Sequence, residues 1–249
     1  MNKSLNREIL RLSVPSILAG ITVPLVGMVD TAVAGHLSGD TAAQIGAISV
    51  GSMVLSLLYW TFGFLRTGTG GLTAQAFGRG DFAECGRIFL RGTGLALLAA
   101  FFALALQWPF FKGVMLIPDA TPGVRVLAER YFFIRIWAAP ATLSLMSIKG
   151  WFIGMQDTVS SMAIDLVVNV VNIVASILLG RWMGFAGIAW GTVIAQYTGL
   201  AFACFLIAHR TLFRKEGSSP ASISAAEGSG TAQRGRVSAR RRPVPQKTV

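Results

Sequence analysis

Long uncharged runs dominate the first 208 positions of this chain. The windows 12–29, 41–65, 92–111 and 182–208 contain no Asp, Glu, Lys or Arg, and a helix needs about 20 predominantly apolar residues, at about 1.5 Å each, to cross a bilayer. Two further windows are nearly as clean. Residues 131–153 are interrupted only by Arg135 and Lys149, and 158–180 only by Asp165; a polytopic bundle tolerates such groups when they face protein or water. The pattern predicts an all-α, polytopic membrane helix bundle of about six transmembrane helices.

Composition fits that reading: 53% of residues are hydrophobic, 13% are charged and the mean hydropathy is +0.60, whereas an ordinary soluble domain is roughly 25% charged. The net charge of +11 would suggest nucleic acid in a soluble chain. Here residues 210–249 hold nine Lys or Arg against Glu216 and Glu227, so +7 of the +11 lies beyond the last apolar window. The partner implied is the lipid bilayer and no nucleic acid. The organisation expected is a transmembrane lobe over 1–215 and a disordered, low-complexity basic tail over 216–249, because Gly, Ser, Ala and Arg there leave little to bury. The tail's abrupt onset suggests either a natural linker or a shifted reading frame. The first window carries Pro15 and Pro24 and no small-residue cleavage pattern, so it is expected to remain as an anchor.

Basic residues bias the orientation. Lys3, Arg7 and Arg11, then Arg79, Arg87 and Arg91, then Lys149, then Arg210, Arg214 and Lys215 would be cytoplasmic, while 36–40 has no Lys or Arg and the last opposite loop has only Arg181. This places both termini in the cytoplasm of a multi-pass plasma (inner) membrane protein. Lys112, Arg125 and Arg130 weaken the contrast. Trp108, Trp151 and Trp182 fall near predicted helix ends, where an amphipathic ring suits the interface.

Soluble-enzyme chemistry finds no support. Gly68-Thr69-Gly70-Gly71 looks loop-like, but no Gly-Lys-Ser/Thr follows and no strand precedes it. Cys85, at a predicted loop start, and Cys204, inside a helix, form no disulfide or metal pattern. His36 and His209 are expected as interfacial polar residues, and no nucleophile, base and orienter come together. The expectation is no enzyme, no catalytic residues, no metal site and no cofactor.

Ionisable groups at membrane depth cost roughly 2.5–3.5 kcal/mol on insertion scales and are functional candidates by default. Asp30 is the sharpest, lying roughly 8 Å from the outer end of helix one at helical rise. Pro24, two turns earlier, is a candidate hinge because it removes a backbone hydrogen bond. Asn172 and Thr192, on the fifth and sixth predicted helices, reach about 13 Å from the same face. Tyr131, at the outer start of the fourth, would hang above them. Four groups from four helices would then line one wet pocket around a single carboxylate, with Asn172 able to hydrogen-bond either protonation state. The bland reading stands beside this one. Asn169, Thr192 and Gln196 serve equally well as interhelical glue, Gly187 and Gly191 as a close-packing contact, and Arg66 and Asp165 as snorkelling or mutually paired groups.

Several stretches together resemble a known family. They are Val29-Asp-Thr-Ala-Val-Ala-Gly35-His36-Leu37, Phe62-Gly-Phe-Leu-Arg66-Thr-Gly-Thr-Gly-Gly-Leu-Thr-Ala-Gln75-Ala-Phe-Gly78-Arg-Gly-Asp81, Tyr131-Phe-Phe-Ile-Arg135-Ile-Trp-Ala-Ala-Pro140, Gly154-Met-Gln-Asp157-Thr158, Asn169-Val-Val-Asn172-Ile and Gly187-Ile-Ala-Trp-Gly-Thr192. In this order they resemble the multidrug and toxin extrusion (MATE) transporters, and the Phe-Leu-Arg core is similar to the DNA-damage-inducible F branch. The resemblance covers about residues 5–210. It implies one lobe of a cation-coupled antiporter for small organic, often cationic, xenobiotic compounds, with Asp30 as the ion-coupling site, H+ or Na+ as coupling ion, helix one bending near Pro24, and Asn172, Asn169, Thr192 and Tyr131 lining the cavity. Many members carry an acid where this chain has Ser176, which favours protons. Family members have two six-helix lobes, so a truncated or frameshifted N-lobe is expected. A half-size transporter pairing with itself or a separate C-lobe, a lipid flippase and a non-transporting membrane scaffold are the alternatives. The weak basic content inside the helices argues mildly against an anionic headgroup as cargo.

Overall fold

The computed structural model describes residues 27–116 and 120–216. Pro24, most of the first apolar window and the tail from 217 lie outside the described residues. The helices are α1 (27–35), α2 (Thr41–Thr61), α3 (Phe64–Gly78), α4 (Phe82–Ala105), α5 (Gln107–Val114), α6 (Pro122–Arg135), α7 (Ala139–Gly154), α8 (Thr158–Met183) and α9 (Phe185–Glu216), and no strand occurs among the described residues. Among the described residues, five stretches are long and apolar enough to cross a membrane: Thr41–Gly78, Phe82–Ala105, Pro122–Gly154, Thr158–Met183 and Phe185–His209. Large side chains such as Trp60, Leu90, Phe101 and Trp182 stand exposed on them. An exposed apolar surface of that extent is what a lipid-facing bundle presents.

Two spans are each built from two helices. The α2–α3 span breaks at Phe62–Gly63, and the α6–α7 span at a single 3-10 turn, Ile136–Ala138. Pro140, in the first turn of α7, supplies the cause of the second break: it cannot donate to the carbonyl four residues back. The Ile136 carbonyl accepts instead from Ala139 N.

Three of the connections end alike. A residue with positive φ, Gly39 (113°), Gly80 (75°) or Gln156 (61°), is followed by Asp40, Asp81 or Asp157. Each aspartate caps the next helix by accepting from the amide three residues on, at 3.1, 2.9 and 3.2 Å. Such caps satisfy amides that a helix start leaves open.

The chain divides into two units, Met1–Cys204 and Phe205–Val249. In the first, α7 packs on α3, α4 and α8, while α2 packs on α6. The α3–α7 contact is backbone to backbone: a Cβ at Gly154 would lie 2.6 Å from the Gly70 carbonyl oxygen, and one at Gly150 would overlap the Arg66 carbonyl. Thr69 and Ser147 hydroxyls meet across the same seam at 3.3 Å. In the second unit the Phe205 and His209 rings lie 5.9 Å apart.

The structure corrects several boundaries. The Gly68–Gly71 stretch is helical, inside α3. Although Gly costs roughly 1 kcal/mol against Ala in a helix, here its small size admits the neighbouring backbone. The third span begins at Phe82 rather than near Gly92, so Cys85, Arg87 and Arg91 are helical, with both arginines on Glu84. Trp151 also ties α7 to α4: its Nε1 donates to the Cys85 carbonyl at 2.9 Å and its ring lies 5.3 Å from Phe89. Gly187 and Gly191 do make the close contact expected of them, a Cβ at Gly191 falling 2.7 Å from Ser176 N.

Candidate functional site

A cavity of about 420 Å³ lies among α1, α2, the end of α6, α7, α8 and α9. Asp30, Asn169, Asn172 and Thr192 line it, together with Ser52, Tyr59, Arg135, Lys149, Asp165 and Gln196. Three helices, α1, α8 and α9, therefore bring four of the expected residues to one hollow.

Asn172 is placed by its own amide. Its Nδ2 donates to Thr192 Oγ1 at 2.9 Å, and the Thr192 hydroxyl leans on the Ile188 carbonyl at 3.5 Å. This leaves Asn172 Oδ1 buried with no hydrogen-bond partner among the described residues, as are Asp30 Oδ1 and Ser176 Oγ. Asp30 is only 3% exposed. Buried unpaired acceptors are costly, so each calls for a partner such as water, a proton or a ligand. Ser176, one turn beyond Asn172, is fully buried.

Tyr131 departs from the expectation. It does not hang at a helix start above the pocket but sits within α6, fully buried, its ring 5.9 Å from Phe185. Gly51 makes room for it, since a Cβ there would come 2.6 Å from Tyr131 Cδ1. Tyr131 reaches the cavity only through Arg135: the arginine Nη1 donates to Tyr131 Oη at 2.6 Å and to Ser52 Oγ at 3.3 Å, and its guanidinium carbon lies 5.3 Å from the tyrosine ring centre.

Arg135, Lys149 and Asp165 are the residues that the sequence reading missed as site components. Lys149 is not a loop charge and so says nothing about orientation. It lies in α7 and donates to Asp165 Oδ1 at 2.8 Å, with both side chains about four-fifths buried. Asp165 thus pairs with Lys149 and not with Arg66. Basic content inside the spans is not weak, since two cations face this one cavity. A signal was present: Tyr131 and Arg135 are spaced i, i+4, on one helix face, and any ionisable residue within a span is a candidate.

A second hollow of the same volume lies between α3 and α4, walled by Leu65, Leu72, Ile88 and Leu95, with Arg79, Glu84 and Arg91 at its polar end. Two of its charges are already engaged with each other, Glu84 with Arg91, and Glu84 also pairs with Arg87. No group of three or more His, Cys, Asp or Glu suited to a metal occurs among the described residues.

The chain resembles proteins of one kind. It is 34% identical over 206 residues to DNA damage-inducible protein F of Escherichia coli (strain K12), a match covering 82% of this chain and 44% of that protein. It is 29% identical over 205 residues to Protein DETOXIFICATION 44, chloroplastic, of Arabidopsis thaliana, covering 76% of this chain and 39% of that one. In three dimensions it matches the outward-facing conformation of a multidrug resistance MATE family transporter of the MOP superfamily with a TM-score of 0.73 at 18% identity, over 80% of this chain and 44% of that one. That likeness is one of fold. The chain spans about two-fifths of the length of these relatives. The MatE family model matches residues 15–178, and this multi-pass α-helical membrane chain belongs to the multidrug and toxin extrusion (MatE) family.

Proposed function

We propose that this chain is the Asp30-bearing lobe of a proton-coupled antiporter that exports small organic compounds across the plasma membrane, with both termini cytoplasmic. The observation that carries the reading is the Asp30 carboxyl, buried on a cavity wall with an oxygen that no described residue satisfies. A proton and the basic end of a substrate compete for that oxygen. Asn172 keeps an unpaired carbonyl oxygen beside the same hollow and accepts from a protonated carboxyl or a substrate amine. Ser176, where an acid would help to hold Na+, offers only a hydroxyl, which favours H+ over Na+. Pro24 is the proposed hinge of helix one. Asn169, Thr192 and Tyr131 complete or support the wall.

One lobe cannot alternate access against itself. We take this chain as one lobe that binds substrate and proton and works with a second lobe, or a second copy, to carry flux. Difference infrared spectroscopy on the purified chain tests the binding half: adding an organic cation removes the band of a protonated carboxyl, and Asp30→Asn eliminates the change. Cation affinity falls as pH is lowered through the titration of Asp30, and becomes independent of pH in Asp30→Asn. Proteoliposomes test the other half. The chain alone gives no substrate-driven proton flux; flux that Asp30→Asn abolishes would refute the single-lobe assignment.

A further inference from the structure

We infer that the cavity selects ampholytic compounds, with a carboxylate seated on Arg135 and a basic nitrogen directed to Asp30. This rests on the reading of the cavity as the transport site.

The inference follows from which charges are already spent. Four ionisable groups of opposite sign line the hollow: Asp30 and Asp165, Arg135 and Lys149. Lys149 and Asp165 neutralise one another at 2.8 Å. Asp30 and Arg135 interact electrostatically across the space, yet no ion pair closes between them within 4.0 Å among the described residues. Among the described residues the cavity therefore presents one anion and one cation outside any ion pair, on different helices, α1 and α6, with the neutral Ser176 hydroxyl beside Asp30.

Arg135 is also held in place. Both bonds to protein leave from Nη1, to Tyr131 and Ser52, and the Tyr131 ring lies against the guanidinium. Both acceptors are neutral hydroxyls. A guanidinium carries five N–H donors, and the edge formed by Nε and Nη2 has no protein acceptor among the described residues. That edge matches a carboxylate with two parallel bonds. Ile48, Leu55, Leu145 and Val168 supply apolar wall for a ring system in the same cavity, and about 420 Å³ is the size of a drug-scale site.

A plain cation gains Asp30 but meets an uncompensated Arg135, and a plain anion meets the reverse. An ampholyte satisfies both. Protonating Asp30 removes the anion and leaves Arg135 in excess, which loosens the basic end of the cargo while its carboxylate stays held.

The test uses the purified full chain in lipid nanodiscs and fluorescence polarisation of three xanthene dyes. They are a diamino rhodamine with a free carboxylate, its methyl ester, which is a plain cation, and fluorescein, an anion. The free-acid rhodamine is expected to bind at least about tenfold more tightly than its ester, as one charge-assisted pair would give, and fluorescein more weakly than either. Arg135→Gln brings the two rhodamines within about twofold by weakening only the acid; Arg135→Lys, which keeps charge without the two-pronged edge, restores part of the preference and guards against a folding artefact. Asp30→Asn weakens both rhodamines. Equal binding of acid and ester to the wild type, with Asp30 dependence intact, overturns the ampholyte inference and leaves the antiporter lobe standing. Equal weakening of both dyes by Arg135→Gln assigns Arg135 a structural role and overturns it too. No binding of any dye refutes both readings.

Discussion

The two faces of α7 solve opposite problems. Toward α3 and α4 it presents Gly150, Gly154 and Ser147, and the helices touch at backbone distance with one hydroxyl pair between them. Toward α8 it presents Leu145 and Lys149, and a cavity opens that holds four charges and several unsatisfied acceptors. Lipid supplies no hydrophobic drive for helix association, so stability in a bundle comes from close van der Waals packing of small residues. The α3–α7 seam has that packing, and the cavity side gives it up. The span containing α7 is the most enclosed, with 61% of its apolar window buried against 22% for α8. It is the column on which both halves depend.

The largest expected effect comes from breaking the packed side. Gly150→Leu drives a side chain into the Arg66 carbonyl, and no rotamer change relieves a clash with backbone. Overpacking costs about 1–3 kcal/mol or more, so the purified chain should melt at markedly lower temperature or fail to purify as a monodisperse species. Gly71→Ala is the control: nothing lies within 4 Å of a Cβ there, and no loss is expected.

On the cavity side the strongest effect should come from halving the ion pair. Removing one partner of a buried pair costs about 3–5 kcal/mol. Lys149 and Asp165 are about one-fifth exposed, and water reduces the loss to roughly 1–3 kcal/mol. Lys149→Met should therefore lower the melting temperature, and the double variant Lys149→Met/Asp165→Leu should recover much of it. A double-mutant cycle read by thermal melting gives the coupling, and simple additivity would show that the pair is not bonded in solution.

Asp30→Asn sharpens the contrast by going the other way. The wild-type carboxyl is buried with an unpaired oxygen, a strain on stability of the kind that functional sites retain. The neutral isostere should raise the melting temperature, by about 1 kcal/mol in free-energy terms, while removing proton-linked binding. A drop in stability would mean that Asp30 is a structural group.

What could be read from the sequence divides along the same line. Five spans were legible because lipid forces long uncharged runs, and Asp30, Asn172 and Thr192 stood out as polar groups within them. The start of α4 was not legible, since the first turns of a span reach beyond the hydrocarbon and tolerate Glu84, Arg87 and Arg91. Nor was α3, because its glycines match a loop by composition and become helix only through the partner backbone at Gly150 and Gly154. Arg135 and Lys149 were visible but counted as interruptions. Their role depends on which acid each one meets, and the separation of 16 positions from Lys149 to Asp165 shows no local pattern that links them.

The smallest effect expected is at the turn that joins these faces to the next span. Gln156 holds φ at 61° and Asp157 caps α8 through Ser160 N at 3.2 Å. A side chain in the left-handed region costs roughly 1 kcal/mol, and glycine removes that cost while adding freedom to the unfolded chain worth about 0.4–1 kcal/mol. Gln156→Gly should consequently leave the melting temperature almost unchanged, whereas Asp157→Ala should lose the cap at about 0.5–2 kcal/mol. If Gln156→Gly were instead as damaging as Gly150→Leu, the glutamine side chain would be holding the α7–α8 register, and Lys149 would owe its meeting with Asp165 to that turn as much as to the helices themselves.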